Sequence, residues 1–369
     1  MKIGVIKDPK QGEARVGMTP ENVAILVAAG NTVLVDDGAG VGSGFTNEQY
    51  VAAGGEIVTT DAAWEAELIV KVKEPMESEY HYFKKGQIVW GFLHLAANKA
   101  CSEEMMKKGM TAISGENIVI DGVQALLKPM SAIAGRRAVN LGQYYLEKQH
   151  GGAGILLPGI PGLESGTVVI FGGGNAAENA ADNAVGLGCH VVILELNDAR
   201  LEQLRARYSG KNVEIVKSTT EALEEKIKLA DVFISTILIP GAKPPKLVKE
   251  AMVKSMKPGS VIIDIAIDQG GTVETIDHAT THADPVFEKF GVIHYAVPNM
   301  PGATPRTATI ALAKGNISFL KEISEKGLLS ALTESAELRS GVSILNGKVV
   351  SQALADSISA AYTELKEVL

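Results

Sequence analysis

The sequence predicts an α/β protein made of two doubly wound domains, the first of them discontinuous in the chain. Three observations carry this. Short β-branched runs alternate with helix-periodic segments from the first residue, the pattern of βαβ units on a parallel sheet. At 369 residues the chain exceeds the usual size of one core. A second βαβ series starts at "TVVIFGGG", and from Thr304 the pattern turns helical again, so the second series reads as an insertion. The boundaries this implies are 1–129 plus 304–369 for the first domain and 130–303 for the second.

Each element has its local reason. "KIGVI" is a first strand, and Thr19-Pro20 is a start signal for a helix that Gly30 closes. "TVLVD", a helix near 46–54, "EIV", "ELIVKVK", "QIVWGFLHL", a helix over 102–109 and "MTAIS" continue the alternation. A long helical pattern runs from Ser131 to about Lys148 and leads through "HGGAGILLPGIPG" into the second series. Its strands are "TVVIFGGG", "HVVILEL", "VEIV", "ADVFISTI", "SVIIDIAI" and "VIHYAV", followed by a helical tail to Leu369.

Composition excludes several classes. The chain is 46% hydrophobic and 21% charged, as a folded soluble protein is, and its formal net charge of −8 offers no basic surplus for nucleic-acid backbones. No apolar run approaches the length of a membrane span, and "MKIGVIKDPK" lacks the apolar centre of a signal peptide, so a cytoplasmic location is expected. Cys101 and Cys189 have no partners at metal-ligand spacing and read as reduced, buried, small hydrophobes. His278 and His282 stand four apart in "DHATTHADP", but that segment reads as loop, and no metal site is expected.

The segment "TVVIFGGGNAAENAADNAVGLGCHVVILE" is strand, tight glycine turn, helix and strand. Gly172, Gly174 and Ala177 fit G-x-G-x-x-G/A, the Rossmann fingerprint: one glycine for the turn, one for close approach of a pyrophosphate, one small residue for helix-on-strand packing. The helix N-terminus adds free N–H groups and partial positive charge. Glu195 ends the next strand, where a carboxylate accepts from ribose hydroxyls and repels a 2′-phosphate, favouring NAD over NADP. Arg200, close by, leaves stacking on adenine or tolerance of a phosphate open. The bland reading is a βαβ unit with a tight turn and no ligand.

In open parallel sheets, ligands sit outside the carboxyl ends of the strands. Arg15 follows the first strand, Lys73 ends "ELIVKVK" and His94 ends "QIVWGFLHL"; in the second domain Asp268 ends "SVIIDIAID" and Asn299 follows "VIHYAV". Asp264 shares a strand face with Asp268 on this reading, and it either caps or pairs inside the domain. Two cations converging at the sheet end imply an anionic ligand, most simply a carboxylate, and a histidine beside them suits proton transfer near neutral pH. Alone, a lysine at a strand end is usually solvated and a lone histidine is usually a satisfied core residue. The conjunction with a nucleotide fold favours chemistry.

With these residues assembled, the chain resembles the bacterial alanine dehydrogenases along essentially its whole length. The resemblance lies in "EARVGMTP", "GAGVGSGF", "LIVKVKEP", "FLHLAA", "KPMSAIAGRRAV", "ILIPGAKPPKLV", "MKPGSVIIDIAIDQGG" and "NMPGATPRT", in order and at matching spacing. It implies NAD-dependent, reversible oxidative deamination of L-alanine to pyruvate and ammonium, in an active-site cleft between two Rossmann-like domains of a cytoplasmic homohexamer. It implies Arg15 and Lys73 as binders of the substrate carboxylate, His94 and Asp268 as the catalytic pair, and Met130 and Asn299 as pocket residues. Ser131, Glu195, Arg200, Thr219, Leu238, Ile267 and Met300 match cofactor contacts. The wider family includes the NAD-binding subunit of proton-translocating transhydrogenase, which characteristically lacks the lysine and histidine matching Lys73 and His94. That subunit, a dehydrogenase for another small amino acid and a catalytically silent NAD-binding regulator are the competing readings. Ala132 replaces the family's usual acid, Ala177 stands at the third fingerprint position and Glu195 replaces the commoner Asp.

Overall fold

The alternating apolar runs form two separate sheets in a computed structural model, which describes residues 1–237 and 244–369. The chain divides into two units, Met1–Met130 with Thr304–Leu369, and Ser131–Ala303. Met130 thus falls in the first unit, one residue beyond the break placed from sequence.

The first unit carries β1 (Lys2–Val5), β2 (Thr32–Asp36), β3 (Glu56–Val58), β4 (Leu68–Lys73), β5 (Ile88–Phe92) and β6 (Thr111–Ser114), with a small hairpin of β7 (Val119–Ile120) and β8 (Val123–Gln124). The helices between them are α1 (Pro20–Ala28), α2 (Asn47–Ala52), α3 (Thr60–Ala63) and α4 (Lys99–Lys108). Thr19 caps α1 by accepting from the Asn22 N–H, with Pro20 at the first helical position, as the Thr-Pro signal required. Thr46 and Gln49 form a reciprocal capping box on α2. β5 is shorter than "QIVWGFLHL" suggested: it stops at Phe92, and His94 lies beyond the strand in a left-handed conformation with φ 42°.

α5 (Leu127–Leu146) starts four residues earlier than expected, because Pro129 lies in its first turn, where the missing N–H costs nothing. The second unit follows with β9 (Thr167–Phe171), α6 (Asn175–Leu187), β10 (His190–Glu195), α7 (Asp198–Arg207), β11 (Val213–Lys217), α8 (Thr220–Lys226), β12 (Val232–Ser235), α9 (Glu250–Lys254), β13 (Val261–Asp264), β14 (Val286–Lys289) and β15 (Val292–Tyr295). Its seven-stranded sheet has the order β11-β10-β9-β12-β13-β15-β14, parallel except for β14. Successive residues of β9 and β10 point to opposite faces: Val168, Ile170, Val191 and Ile193 pack on α5 and α6, and Val169, Phe171, Val192 and Leu194 on the other layer.

The expected helical tail needs correction. α10 (Pro305–Lys326), α11 (Leu328–Glu334), α12 (Ala336–Gly341) and α13 (Gln352–Ile358) are interrupted by β16 (Val342–Leu345) and β17 (Lys348–Val349). These antiparallel strands extend the first sheet to β17-β16-β6-β5-β4-β1-β2-β3. Asn346-Gly347, both at positive φ, makes the tight turn, and an Asn-Gly pair between apolar runs is a hairpin signal that the sequence did carry. The β14–β15 turn uses Phe290-Gly291, also at positive φ, where the glycine is the one turn signal and the phenylalanine gives none. A second correction concerns "SVIIDIAID": β13 ends at Asp264 and residues 265–269 form a 3₁₀ turn, so Asp264 and Asp268 do not share a strand face. Among the described residues, no helix is long and apolar enough to cross a membrane, and Cys101 and Cys189 are free and buried.

In the second unit α5 and α6 approach so closely that a Cβ on Gly135 would lie 2.1 Å from the Ala176 carbonyl oxygen. Helix propensity favours alanine over glycine by about 1 kcal/mol, but forcing a methyl into a filled contact costs about 1–3 kcal/mol. Gly135→Ala should therefore lower the melting temperature; a rise in a thermal melt would show that the contact yields.

Candidate active site

The loop after β1 delivers Arg15, which is 3% exposed. Glu13 receives its guanidinium as a fork, Nε to Oε1 at 2.7 Å and Nη2 to Oε2 at 2.6 Å, and also accepts the Arg15 N–H at 3.0 Å. Burial works to raise the Glu13 carboxyl, but Arg15 and Lys73 together pull it below the usual range. Arg15 Nη1 lies 3.6 Å from the Met130 Sδ, joining two residues assigned to the substrate pocket. The loop is pinned from behind by α10: the Val16 N–H donates to Thr309 Oγ1 at 3.1 Å and Asn316 Nδ2 to the Gly17 carbonyl at 3.2 Å. This is why the C-terminal segment returns to the first unit.

β4 and β5 lose register between Val70 and Lys73, and a Cβ at Gly91 would meet the Lys71 carbonyl at 2.9 Å. In this irregular stretch lie the two lysines of "IVKVKEP". Lys71 is fully buried, with Nζ 2.6 Å from Glu79 Oε1 and 3.6 Å from Asp8 Oδ1. Burial raises the carboxyls of both Asp8 and Glu79, against the pull of Lys71. Asp8 Oδ2 in turn accepts the N–H groups of Val72 at 3.2 Å and Lys73 at 2.9 Å, fixing the backbone that presents Lys73. Lys73 itself is half-buried.

His94 comes out of β5 with both its own N–H and that of Leu93 bound by Glu116, at 2.7 and 3.2 Å. Enclosure by the protein, then the charges of Lys73, Lys10 and Arg15, pull its imidazole down to about 4, opposed by Glu74. The ring is nonetheless 44% exposed, and water reaching it offsets part of that depression. The same interactions establish that Arg15, Lys73 and His94 share one neighbourhood at the carboxyl end of the first sheet. An imidazole neutral at pH 7 beside two cations can accept a proton, and the cations can hold a carboxylate.

In the second unit Gly172 closes the turn after β9 at φ 105°, and Gly174 caps α6 with open space where a Cβ would project. That opening, over the helix N-terminus, fits the pyrophosphate of a dinucleotide. Gly173, the unconstrained position of the fingerprint, is needed too: a Cβ there would lie 2.5 Å from Glu195 Oε2. Ala177 is fully buried against the sheet. Glu195 ends β10 and accepts the Asn197 N–H at 2.7 Å. Arg200 is committed within the protein, Nε to the Gly173 carbonyl at 2.7 Å and Nη2 to Glu178 at 2.8 Å. An arginine already paired with a carboxylate is poorly disposed to take a 2′-phosphate. Thr219 caps α8 after β11, Ser131 lies on α5 and Ile267 in the 3₁₀ turn, while Met300 is buried and its carbonyl accepts from Arg137. Leu238 lies outside the described residues.

Asp264 is fully buried and accepts the N–H groups of Ala266, Thr272 and Val273, so it caps the turn that carries Asp268; its burial raises its carboxyl. Asp268 is exposed and its Oδ1 accepts the Asn299 N–H at 2.9 Å. Asn299 is left-handed at φ 54°, with Gly302 folded so closely that a Cβ would strike its amide at 2.7 Å. The structure thus joins Asp268 to Asn299 directly. His278 stacks on Phe287 and pairs with Asp277, and among the described residues no group of His, Cys, Asp and Glu is arranged to hold a metal.

Residues 4–134 match the family model "Alanine dehydrogenase/PNT, N-terminal domain" and residues 138–352 match "Alanine dehydrogenase/PNT, C-terminal domain". The chain belongs to the alanine dehydrogenase/PNT family. Within that family it is 57% identical over 372 residues to alanine dehydrogenase 1 of Staphylococcus aureus (strain MSSA476), with both chains covered in full. A solved L-alanine dehydrogenase matches with a TM-score of 0.93 at 43% identity, covering 97% of this chain and 99% of its own. A transhydrogenase from Sinorhizobium meliloti matches less well, with a TM-score of 0.83 at 27% identity over 96% and 100% of the two chains. Three carboxylates at these half-sites escaped the sequence reading, Glu13, Asp8 and Glu116, as did Lys71. Each works through backbone N–H groups or a buried pair, and no spacing rule encodes either.

Glu195 should enforce cofactor choice: a strong preference for NAD is expected, narrowed in Glu195→Ser. Comparable kcat/KM with NAD and NADP in the native protein would overturn this. The depressed imidazole makes a separate prediction. At this ring the native state binds fewer protons than the unfolded state between pH about 4 and 6.5, so His94 contributes a slope in which stability rises with pH across that window. His94→Gln should flatten it, and identical stability-against-pH curves for the two proteins would contradict the assignment.

Proposed function

We propose that this chain is an NAD-dependent alanine dehydrogenase, converting L-alanine, NAD⁺ and water reversibly to pyruvate, ammonium, NADH and a proton. The single observation that carries the reading is the 57% identity to alanine dehydrogenase 1 over the full length of both chains. Bound NAD supplies the hydride acceptor. Gly172 and Gly174 would seat its pyrophosphate at α6, which the small Ala177 lets pack on the sheet, and Glu195 its adenosine ribose, with Ser131, Arg200, Thr219, Ile267 and Met300 as further contacts.

The remaining chemistry belongs to the chain. Arg15 and Lys73 hold the substrate carboxylate, and Met130 and Asn299 line the pocket around the small side chain. Loss of hydride from Cα leaves an imine. His94, neutral before substrate binds, takes the proton of the attacking water, and Asp268 assists the transfers that release ammonium. A bound carboxylate also offsets the charges of Arg15 and Lys73, so substrate binding itself restores proton affinity to His94. On this reading the substrate carboxylate is bound within 1–129 with 304–369 and the cofactor within 130–303.

A cytoplasmic homohexamer working in amino-acid catabolism completes the proposal. Exposed apolar residues such as Leu156, Ile160 and Leu163 supply surface for contact between copies.

NADH formation from L-alanine at alkaline pH tests the activity, and its absence in folded, NAD-binding protein would end the proposal. The roles separate in variants. Lys73→Ala should weaken alanine and pyruvate binding alike, since both carry the carboxylate. His94→Ala should mainly depress kcat, by roughly 10²–10⁴-fold. NADH affinity should hold in both, and near-native turnover in His94→Ala would remove its proton-transfer role.

A further inference from the structure

Glu116 has no part in the reaction as written, yet the whole presentation of His94 runs through it. It sits in the 3₁₀ turn Gly115–Asn117 at the end of β6 and is 7% exposed. Its two oxygens are divided between two consecutive peptides of the neighbouring strand end: Oε1 accepts the His94 N–H at 2.7 Å and Oε2 the Leu93 N–H at 3.2 Å. Left-handed backbone is rare for a residue with a Cβ, and His94 adopts it at φ 42°, ψ 41°. The His94 Nδ1 stands 3.7 Å from the same Oε1.

We propose that Glu116 is the positioning residue of His94, holding the left-handed peptide that aims the imidazole and supplying the anion opposite Nδ1 when the ring takes a proton. The inference rests on the alanine dehydrogenase reading. A neutral cap could satisfy one of these N–H groups, but a carboxylate satisfies both and adds charge. That charge is maintained at a cost, since burial pushes the Glu116 carboxyl up to about 7, with its N–H partners and Lys73 pulling the other way. The groups facing this pair are the His94 ring itself, Lys73, Lys10 and Arg15 as cations, and Glu74 as an anion. Protonating His94 during imine hydrolysis adds a third positive charge to Arg15 and Lys73. The Glu116 carboxylate, on the Nδ1 side, is placed to offset it.

E116Q keeps the shape and one acceptor while removing the charge. It should lower kcat for alanine about 10–100-fold, while KM for alanine and NAD each move less than about 3-fold. The ionisation of His94 in the pH profile of kcat/KM should shift to lower pH, since an anion beside the ring is gone. In an H94A background, E116Q should add less than about 3-fold further loss, because its effect passes through the imidazole. Native kcat in E116Q, an unmoved pH profile, or losses that multiply fully in the double variant would each overturn the proposal. If E116Q melts too early to assay, E116D carries the kcat and double-variant measurements, with the charge kept and the reach shortened; there a native kcat overturns it and a kcat loss annulled in the H94A background supports it. Failure of the native protein to oxidise L-alanine would sink the functional reading instead, whereas native turnover with an unaffected E116Q sinks only the role of Glu116.

Discussion

One interaction recurs at the ends of three strands: a buried carboxylate accepting consecutive backbone N–H groups. Asp8 binds Val72 and Lys73, Glu116 binds Leu93 and His94, and Asp264 binds Ala266, Thr272 and Val273. Strand ends leave peptide donors unpaired where the ladder stops, and a buried unpaired donor costs free energy comparable to a lost hydrogen bond. A carboxylate satisfies two or three of them at once and fixes the chain's direction as it enters the site. The expense is burial of an acid, visible in the raised carboxyls of Asp8, Glu116 and Asp264. Precision at the site is thus maintained by groups that are themselves uncomfortable.

The pair of lysines in "IVKVKEP" shows how one strand face serves two ends. Lys71 is answered inside the protein by Glu79 and Asp8, and it lies over the Trp64 ring. A buried ion pair is weak evidence for stability, because desolvation offsets most of the attraction. Its value here is geometric: the Lys71 cluster holds Asp8, and Asp8 holds the peptide of Lys73. Glu13 plays the matching part for Arg15, occupying two edges of the guanidinium and leaving its direction fixed. The charges of Arg15 and Lys73 are pre-aimed by internal charge.

Much of this was legible in the sequence because it is periodic or stereotyped. The alternating runs announced both sheets, Thr19-Pro20 announced α1, and the glycine cluster announced the tight turn between β9 and α6. The misses have physical causes. β16 and β17 fall in the expected helical tail although Asn346-Gly347 marks their turn, whereas Phe290-Gly291 carries only the weaker signal of a single glycine. Asp268 was placed on a strand because a β-branched run conceals the 3₁₀ turn that Asp264 caps. Glu13, Asp8 and Glu116 stayed hidden because an acid bound to peptides of another segment has no sequence period. Their importance arises only from tertiary neighbours.

The pinning of the Arg15 loop by Thr309 and Asn316 of α10 has a consequence for how the molecule is made. The N-terminal strands emerge first from the ribosome, but the helix that secures them is synthesised after the entire second unit. The contacts concerned are among the longest in sequence separation that the chain possesses, and such contacts form slowly because a large loop must close first. The second unit, being contiguous, can fold while the first still waits. Nascent chains would then hold a folded second unit well before the first is complete, and the Arg15 loop is secured only near the end of synthesis.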